Sequence, residues 1–488
     1  MNNNQNTTSK SEDIITTNKK MVNLQTYGWI ITLGGLLFGI DTGATNGSLT
    51  FMSKPSQLNL NASDEGLVTS GITLGAAFGA IIGGKLSDHF GRKRILMYSA
   101  WIFILGTLGC TFAPNAYVMI LCRFVLGLAV GAESVISPVF LAELSTPQIR
   151  GKFVNHHELM IVVGQLLSYI INALFGVLLG SYSGIWRYML AVGLIPEILL
   201  LIGINRVPES PRWLVTKHND QQALHNLEKI RDSKKTAVAE IAQIKVSLTA
   251  NSKQKKVTFK DLKTPWIRRL ILIGIGLGIM QQAIGINIIM FYGTTVLSDA
   301  GFSHSAALIA NISNGIISTL ATIASIRIMG VVNRRKMVIT AICGTTITML
   351  TISVLSFFLK GSFIFPFVML LLMAIFLIFF QGGVSPIVWV LLSEIFPQAI
   401  RGMAMGIATF FLWLSNFLVG YLFPILLEHL GLGKTFVVFT ILNVVSLLYA
   451  IKFIPETQGK SLEELQSGFQ DGYEPQKHHQ LDDGEGIK

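Results

Sequence analysis

Twelve apolar runs, separated by short charged loops, constrain this chain more than any other feature. They extend from about Tyr27 to Asn46 for the first, Leu270 to Leu297 for the seventh and Phe436 to Phe453 for the last. Runs of roughly 18 to 28 such residues are long enough to cross a hydrocarbon core of about 30 Å as helices. Only 13% of the 488 residues are charged, against roughly 25% in soluble domains. The reading is an all-α membrane protein with twelve transmembrane helices in two pseudo-symmetric six-helix bundles and a cytoplasmic helical insert.

The net charge of +11 does not point to nucleic acid, because the basic residues crowd into the short loops on one side. With the amino terminus inside, the outward loops hold Lys54, Lys360 and Lys434, whereas the inward ones hold KLSDHFGRKR, NRRK and a longer basic segment. That asymmetry orients a cell-membrane protein with both termini in the cytoplasm. The expected divisions are a disordered N-terminus at 1–26, a first bundle at 27–205, a linker of short amphipathic helices at 206–269, a second bundle at 270–454 and a tail at 455–488. The linker carries 15 basic and 6 acidic residues, and its DQQALHNLEKIRD has helical periodicity. The tail is polar and lacks an apolar period, so disorder is expected there too. Cys110, Cys122 and Cys343 all fall inside apolar runs and read as small core residues.

Motifs in the inward loops recur in both halves. FGRKR at 90–94 matches VNRRK at 332–336, AELSTPQIRG at 142–151 matches SEIFPQAIRG at 393–402, and VPES at 207–210 matches IPET at 454–457. The offsets are 242, 251 and 247 residues, about half the chain, as two homologous bundles with a site between them require. Each set brings carboxylates and guanidinium groups to the helix ends: Asp88, Arg92, Glu143, Arg150 and Glu209 in the first half, Arg334, Glu394, Arg401 and Glu456 in the second. Charge-assisted bonds among them are expected to latch the inner side in one conformation and to separate in the other; the simpler alternative is that they anchor loops.

With GGLLFGID at 34–41, GKLSDHFGRKR at 84–94, PVFLAELSTPQIRG at 138–151, VPESPRWL at 207–214, QQAIGIN at 281–287 and PETQGKSLEE at 455–464, the chain resembles the sugar porters of the major facilitator superfamily. More narrowly, SQLNLNASDEGLVTS at 56–70, HELMIVVGQLL at 157–167 and FPILL at 423–427 resemble bacterial myo-inositol transporters. The resemblance implies proton-coupled import of a neutral polyol or monosaccharide, foremost myo-inositol, by alternating access. A pentose or hexose symporter and a passive facilitator are the alternatives. The partners are then a small neutral polyhydroxylated substrate, a proton and the lipid bilayer. No cofactor and no metal is expected, since His156 and His157 have no further ligands beside them. No GxxxxGK[ST] loop or nucleophile constellation suggests an ATP-driven pump or an enzyme.

Asp41 in the first span and Arg123 in the fourth are intramembrane charges, and such groups mark function by default. In the proton-coupled porters that the chain resembles, these two positions form a pair whose making and breaking couples proton to substrate. A polyol needs side chains that donate and accept, with flat apolar faces beside them. The amides inside spans are Gln165, Gln281, Gln282, Asn287, Asn314 and Asn416, and Gly285 is placed to let the seventh helix unwind. By the same resemblance Trp389 and Trp413 pack against substrate, with Phe38 and Tyr292 as wall or gate residues. Phe291 and Ile40 stand where Tyr is common.

Glu158 departs from the Gln of many sugar porters and matches the myo-inositol group. It lies seven residues before Gln165, on the same helix side. Three readings of it are open: acceptor of two ring hydroxyls, second titrating group, or member of a solvated turn. Asn333 replaces a common Gly, which the tolerance of Asn for the left-handed region accommodates.

Overall fold

The computed structural model describes residues 3–145, 150–231, 233–253, 264–329, 331–397 and 400–458, without the side chains of 3–21, 150–155, 247 and 250–253. Every regular element among them is helical. The first half holds α1 (Asn3–Met52), α2 (Ala62–Phe90), α3 (Arg92–Thr111), α4 (Ala116–Leu144) and α5 (Arg150–Leu178), then α6 (Ile185–Ala191) and α7 (Leu194–Ile204), which share the sixth crossing. The insert forms α8 (Pro211–Thr216), α9 (Asp220–Glu228) and α10 (Lys234–Lys253). The second half holds α11 (Pro265–Ala283) and α12 (Ile286–Asp299) as the seventh crossing, then α13 (His304–Ile328) and α14 (Arg334–Phe358). A tenth crossing follows from α15 (Phe365–Phe379) through a π-helical turn at Phe380–Val384 into α16 (Ser385–Ile395), and α17 (Arg401–Phe453) completes the half.

Ten of the described helical stretches are long and apolar enough to span a membrane. One of them, α17, folds back at Gly431 (φ 73°) and makes two crossings. The remaining crossing is α1, whose apolar character is diluted by the buried Asp41, Thr42, Thr45, Asn46 and Ser48. The twelve spans read from the sequence are thereby accounted for.

Local signals set the helix starts. Asn61 and Asp64 form a reciprocal capping box ahead of α2, Asn115 caps α4 and Ser303 caps α13, each satisfying an N–H that the first turn leaves free. Within the first bundle α2 and α4 meet backbone to backbone. A side chain on Gly75 would fall 2.9 Å from Gly127 Cα, so glycine is what permits van der Waals packing at this crossing, where lipid offers no hydrophobic drive.

The backbone is helical from Asn3; residues 1–26 contain neither Gly nor Pro, and extending an existing helix costs far less than nucleating one. The insert is helical as expected, and a separate hydrophobic cluster fastens it beneath the first bundle. There Leu214, Val215, Ala223, Leu227 and Ile241 pack with Ile31, Ile95, Phe140 and Leu144. The tail beyond 458 lies outside the described residues.

Candidate functional site

Arg123 on α4 is 1% exposed and has three partners. Its Nη1 donates to Asp41 Oδ1 at 2.6 Å, its Nη2 to Thr45 Oγ1 at 2.7 Å and its Nε to the Val68 carbonyl at 3.0 Å. Asp41 Oδ2 has no hydrogen-bond partner among the described residues. The expected pair is therefore present, held by α1, α2 and α4. The carboxylate keeps one oxygen to accept a proton, and the guanidinium keeps two other acceptors if Asp41 is neutralised.

The amides converge at the interface between the halves. Gln281 Nε2 donates to the Ser385 carbonyl at 3.3 Å, and Ser385 Oγ donates to Glu158 Oε1 at 2.7 Å, joining α11, α16 and α5. Glu158 is thus not in a solvated turn: it lies in the third turn of α5, half-buried, and reaches the opposing bundle. Asn287 donates to Gln282 Oε1 at 2.7 Å across the break made by Gly285, whose φ of 98° ends α11 and restarts the chain as α12. That left-handed turn is open to glycine at no steric cost, and it is the unwinding the sequence suggests. Trp413 meets Phe38 edge to face at 5.4 Å across the two bundles.

Buried polar atoms without a protein partner lie on the same elements: Gln165 Oε1, Gln281 Oε1, Gln381 Oε1, Asn314 Oδ1, Asn416 Oδ1 and Trp413 Nε1. Such atoms suit a ligand rich in hydroxyl groups. Trp389 is half-buried on α16. Two expected members also join a seal between the bundles. Tyr292 donates to the Gly420 carbonyl at 2.7 Å and packs at a tilt against Phe423, with ring centroids 5.0 Å apart, while Asn314 Nδ2 donates to Asn311 at 2.9 Å. Ile40 and Phe291 are core residues.

Asn46, which sequence reasoning missed, organises that seal. Its Nδ2 donates to the Ile289 and Met290 carbonyls at 3.2 and 2.7 Å, and its Oδ1 accepts from Thr294 Oγ1 at 2.6 Å and Asn311 at 3.1 Å. Tyr169 also donates to the Met290 carbonyl, at 3.2 Å, and Ser63 bonds Tyr421 at 3.2 Å. These bonds close the bundles at the end opposite the basic loops. The sequence signal for Asn46 was its place among polar residues at the end of an apolar run.

At the basic end the two halves repeat one arrangement. Arg92 pairs with Glu143 at 3.1 Å and Asp88 at 2.9 Å, and Arg334 pairs with Glu394 at 3.5 Å. Glu209 accepts from the backbone N–H groups of Arg92 and Lys93 at 3.1 and 3.2 Å; Glu456 accepts from those of Arg334 and Arg335, both at 3.2 Å. Burial pushes the Glu209 carboxyl above the usual range, against the backbone N–H bonds that favour its charge. Arg401 Nε donates to the Phe396 carbonyl at 3.2 Å, and the side chain of Arg150 lies outside the described residues.

Each of these ion pairs lies inside one bundle. Arg92 begins α3 and Glu143 ends α4, neighbours within one half, and Arg334 on α14 and Glu394 on α16 are neighbours within the other. Asn333 also departs from expectation, with φ −55° rather than a left-handed angle. Its counterpart Gly91 has φ 103°, because the Glu209 carboxyl occupies the place of a side chain there.

Two helical bundles with a polar site between them, a buried acid–base pair in one and a seal at one end define a membrane transporter of the major facilitator fold. The chain belongs to the sugar (and other) transporter family, whose model matches residues 28–469. It is 50% identical to the major myo-inositol transporter IolT of Bacillus subtilis (strain 168) over 446 residues, 91% of this chain and 94% of that protein. Among solved structures it is similar to the partially occluded inward-open conformation of the xylose transporter XylE from E. coli, with a TM-score of 0.79 and 30% identity over 90% of this chain and all of that one. Against the proton:xylose symporter XylE bound to 6-bromo-6-deoxy-D-glucose the TM-score is 0.76, at 31% identity over 92% of this chain and 99% of that one.

Proposed function

We propose that this transporter imports myo-inositol, or a polyol of the same size and hydroxylation, together with a proton across the cell membrane. The basic end and both termini face the cytoplasm, the first bundle spans 27–205 and the second 270–454, and the described arrangement is the inward-facing one. The observation that carries proton coupling is the buried Asp41–Arg123 pair. The substrate rests on the identity to IolT and on Glu158, an acceptor placed at the interface beside Gln281.

Protonated Asp41 releases Arg123 to Thr45 and the Val68 carbonyl, lowering the cost of rearranging α1 and α4. Substrate hydroxyls satisfy Gln165, Gln281, Asn314, Asn416 and Glu158, and Trp389, Trp413 and Phe38 cover the apolar ring faces. When the outer seal around Asn46 closes, the site opens toward the cytoplasm and Asp41 pairs again with Arg123. The ion pairs at the basic end hold each bundle rigid while the bundles rock. The test is uptake of radiolabelled myo-inositol into proteoliposomes, with and without an inward proton gradient, against excess xylose, glucose, galactose and arabinose. Gradient-dependent uptake that withstands those sugars is expected. Uptake of one of them with none of myo-inositol moves the assignment to a pentose or hexose symporter, and uptake indifferent to the gradient makes the protein a facilitator.

A further inference from the structure

A second acid of the first bundle is unused by this scheme. Glu133 on α4 is 2% exposed, and neither carboxylate oxygen has a hydrogen-bond partner among the described residues. It lies ten residues from Arg123 on α4, toward the cytoplasmic end. Its carboxylate packs against Gly34 of α1: a side chain there would meet Glu133 Oε2 at 2.7 Å and Ser137 Oγ at 3.6 Å. Gly34 precedes Asp41 by seven residues, about 10 Å along the helix toward the cytoplasm. Two helices therefore place Glu133 independently, between the Asp41–Arg123 pair and the cytoplasmic water. Ser137, one turn further along α4, is also fully buried with an unpartnered hydroxyl.

The charged and titratable groups around Glu133 include no cation bonded to it. On α1 the nearest is Asp41, which is paired. From α5, His157 abuts the adjacent Gly35, its Nδ1 being 3.1 Å from where a side chain would begin, and that nitrogen has no partner. From α7, Glu197 accepts from Thr107 at 2.7 Å. On α2, Lys85 and Asp88 are exposed, and on α3, Arg92 is engaged by Glu143 and Asp88. A buried carboxyl without cation or donor is held as the neutral acid and ionises only when water reaches it, whereas Asp41, bonded to a guanidinium, is held as the anion.

We propose that Glu133 is a second proton-binding carboxyl of this carrier, which takes the proton Asp41 gives up on pairing with Arg123 and releases it to the cytoplasm. In the transfer, relayed by water across the roughly 10 Å between them, the Asp41 O–H bond breaks and an O–H bond forms on the ionised Glu133 carboxylate, so the charge of the two acids together is unchanged. The described conformation is the state after that transfer. The inference rests on the symport reading, and the experiment separates the two.

Full-length protein and Glu133→Gln are compared in lipid vesicles by infrared spectroscopy and by transport. At pH 7 the variant is expected to lose a band of a protonated carboxyl; Glu133→Asp should keep a shifted one, which serves if the amide variant does not fold. Glu133→Gln should keep gradient-free exchange of myo-inositol and lose the voltage-driven accumulation, about 40- to 50-fold per 100 mV for one proton. An unchanged carboxyl spectrum overturns the proton site. Accumulation equal to that of the unaltered protein overturns its part in coupling. If the unaltered protein shows no gradient dependence, the symport reading fails and the relay with it, while loss of the band still establishes Glu133 as a carboxyl that holds a proton.

Discussion

Asp41→Asn, compared with Asp41→Ala, isolates what the charge of the coupling site does. Arg123 is 1% exposed and bonded to Asp41, Thr45 and the Val68 carbonyl. Asparagine keeps an oxygen that accepts from Nη1, so only the charge-assisted part of that bond is lost, about 1.5–3 kcal/mol. Both variants remove the counter-charge, but alanine removes the acceptor as well, leaving the buried guanidinium with neither, which costs about 3–5 kcal/mol. Adding Arg123→Met to Asp41→Ala should recover most of that loss, read as thermal stability in detergent. In vesicles Asp41→Asn should equilibrate myo-inositol by exchange yet fail to concentrate it, whereas one coupled proton sustains about 40- to 50-fold accumulation per 100 mV. Continued accumulation by Asp41→Asn would refute a coupling role for this residue. A double variant no more stable than Asp41→Ala would refute the account of Arg123 as a charge dependent on its partner.

Other expectations concern the seal, the site and the helix ends. Asn46→Ala removes both donor and acceptor from the outer seal and should shift the protein outward, measured as faster labelling of a cysteine placed near Tyr421. Glu158→Gln should retain most affinity for xylose if any is bound, and weaken myo-inositol about tenfold, the worth of roughly 1.4 kcal/mol; equal binding of myo-inositol by both forms removes Glu158 from the site. Glu456→Ala strips the acceptor from two backbone N–H groups at the start of α14 and should cost about 1–3 kcal/mol, seen as a lower melting temperature with unchanged substrate affinity.

The crossings were legible because a bilayer imposes length and polarity on every span, and the repeat was legible because both halves use the same residues at their helix ends. Asp41 and Arg123 stood out as charges within apolar runs. Partnership was harder to read. Asn46, Asn311 and Ser385 look like ordinary polar residues until α1, α13 and α16 are brought against other elements, since the bonds of Asn46 link residues more than 240 positions apart. The ion pairs at the basic end were visible as residues, but which helices they join depends on neighbours within a bundle. Glu133 and Glu197 also lie inside spans but were passed over in the sequence; what distinguishes them is that Thr107 serves Glu197 and nothing described serves Glu133.

The cluster that fastens the insert is drawn wholly from the first half, from Leu24 to Leu248, and Arg231 adds a bond to the Leu144 carbonyl at 2.9 Å. The insert is therefore cargo of one half, carried through the cycle without deforming. A fluorophore or a rigid binding protein attached to α9 would report the movement of that half alone. Paired with a label near Glu456, it would turn each turnover into a change in a single distance.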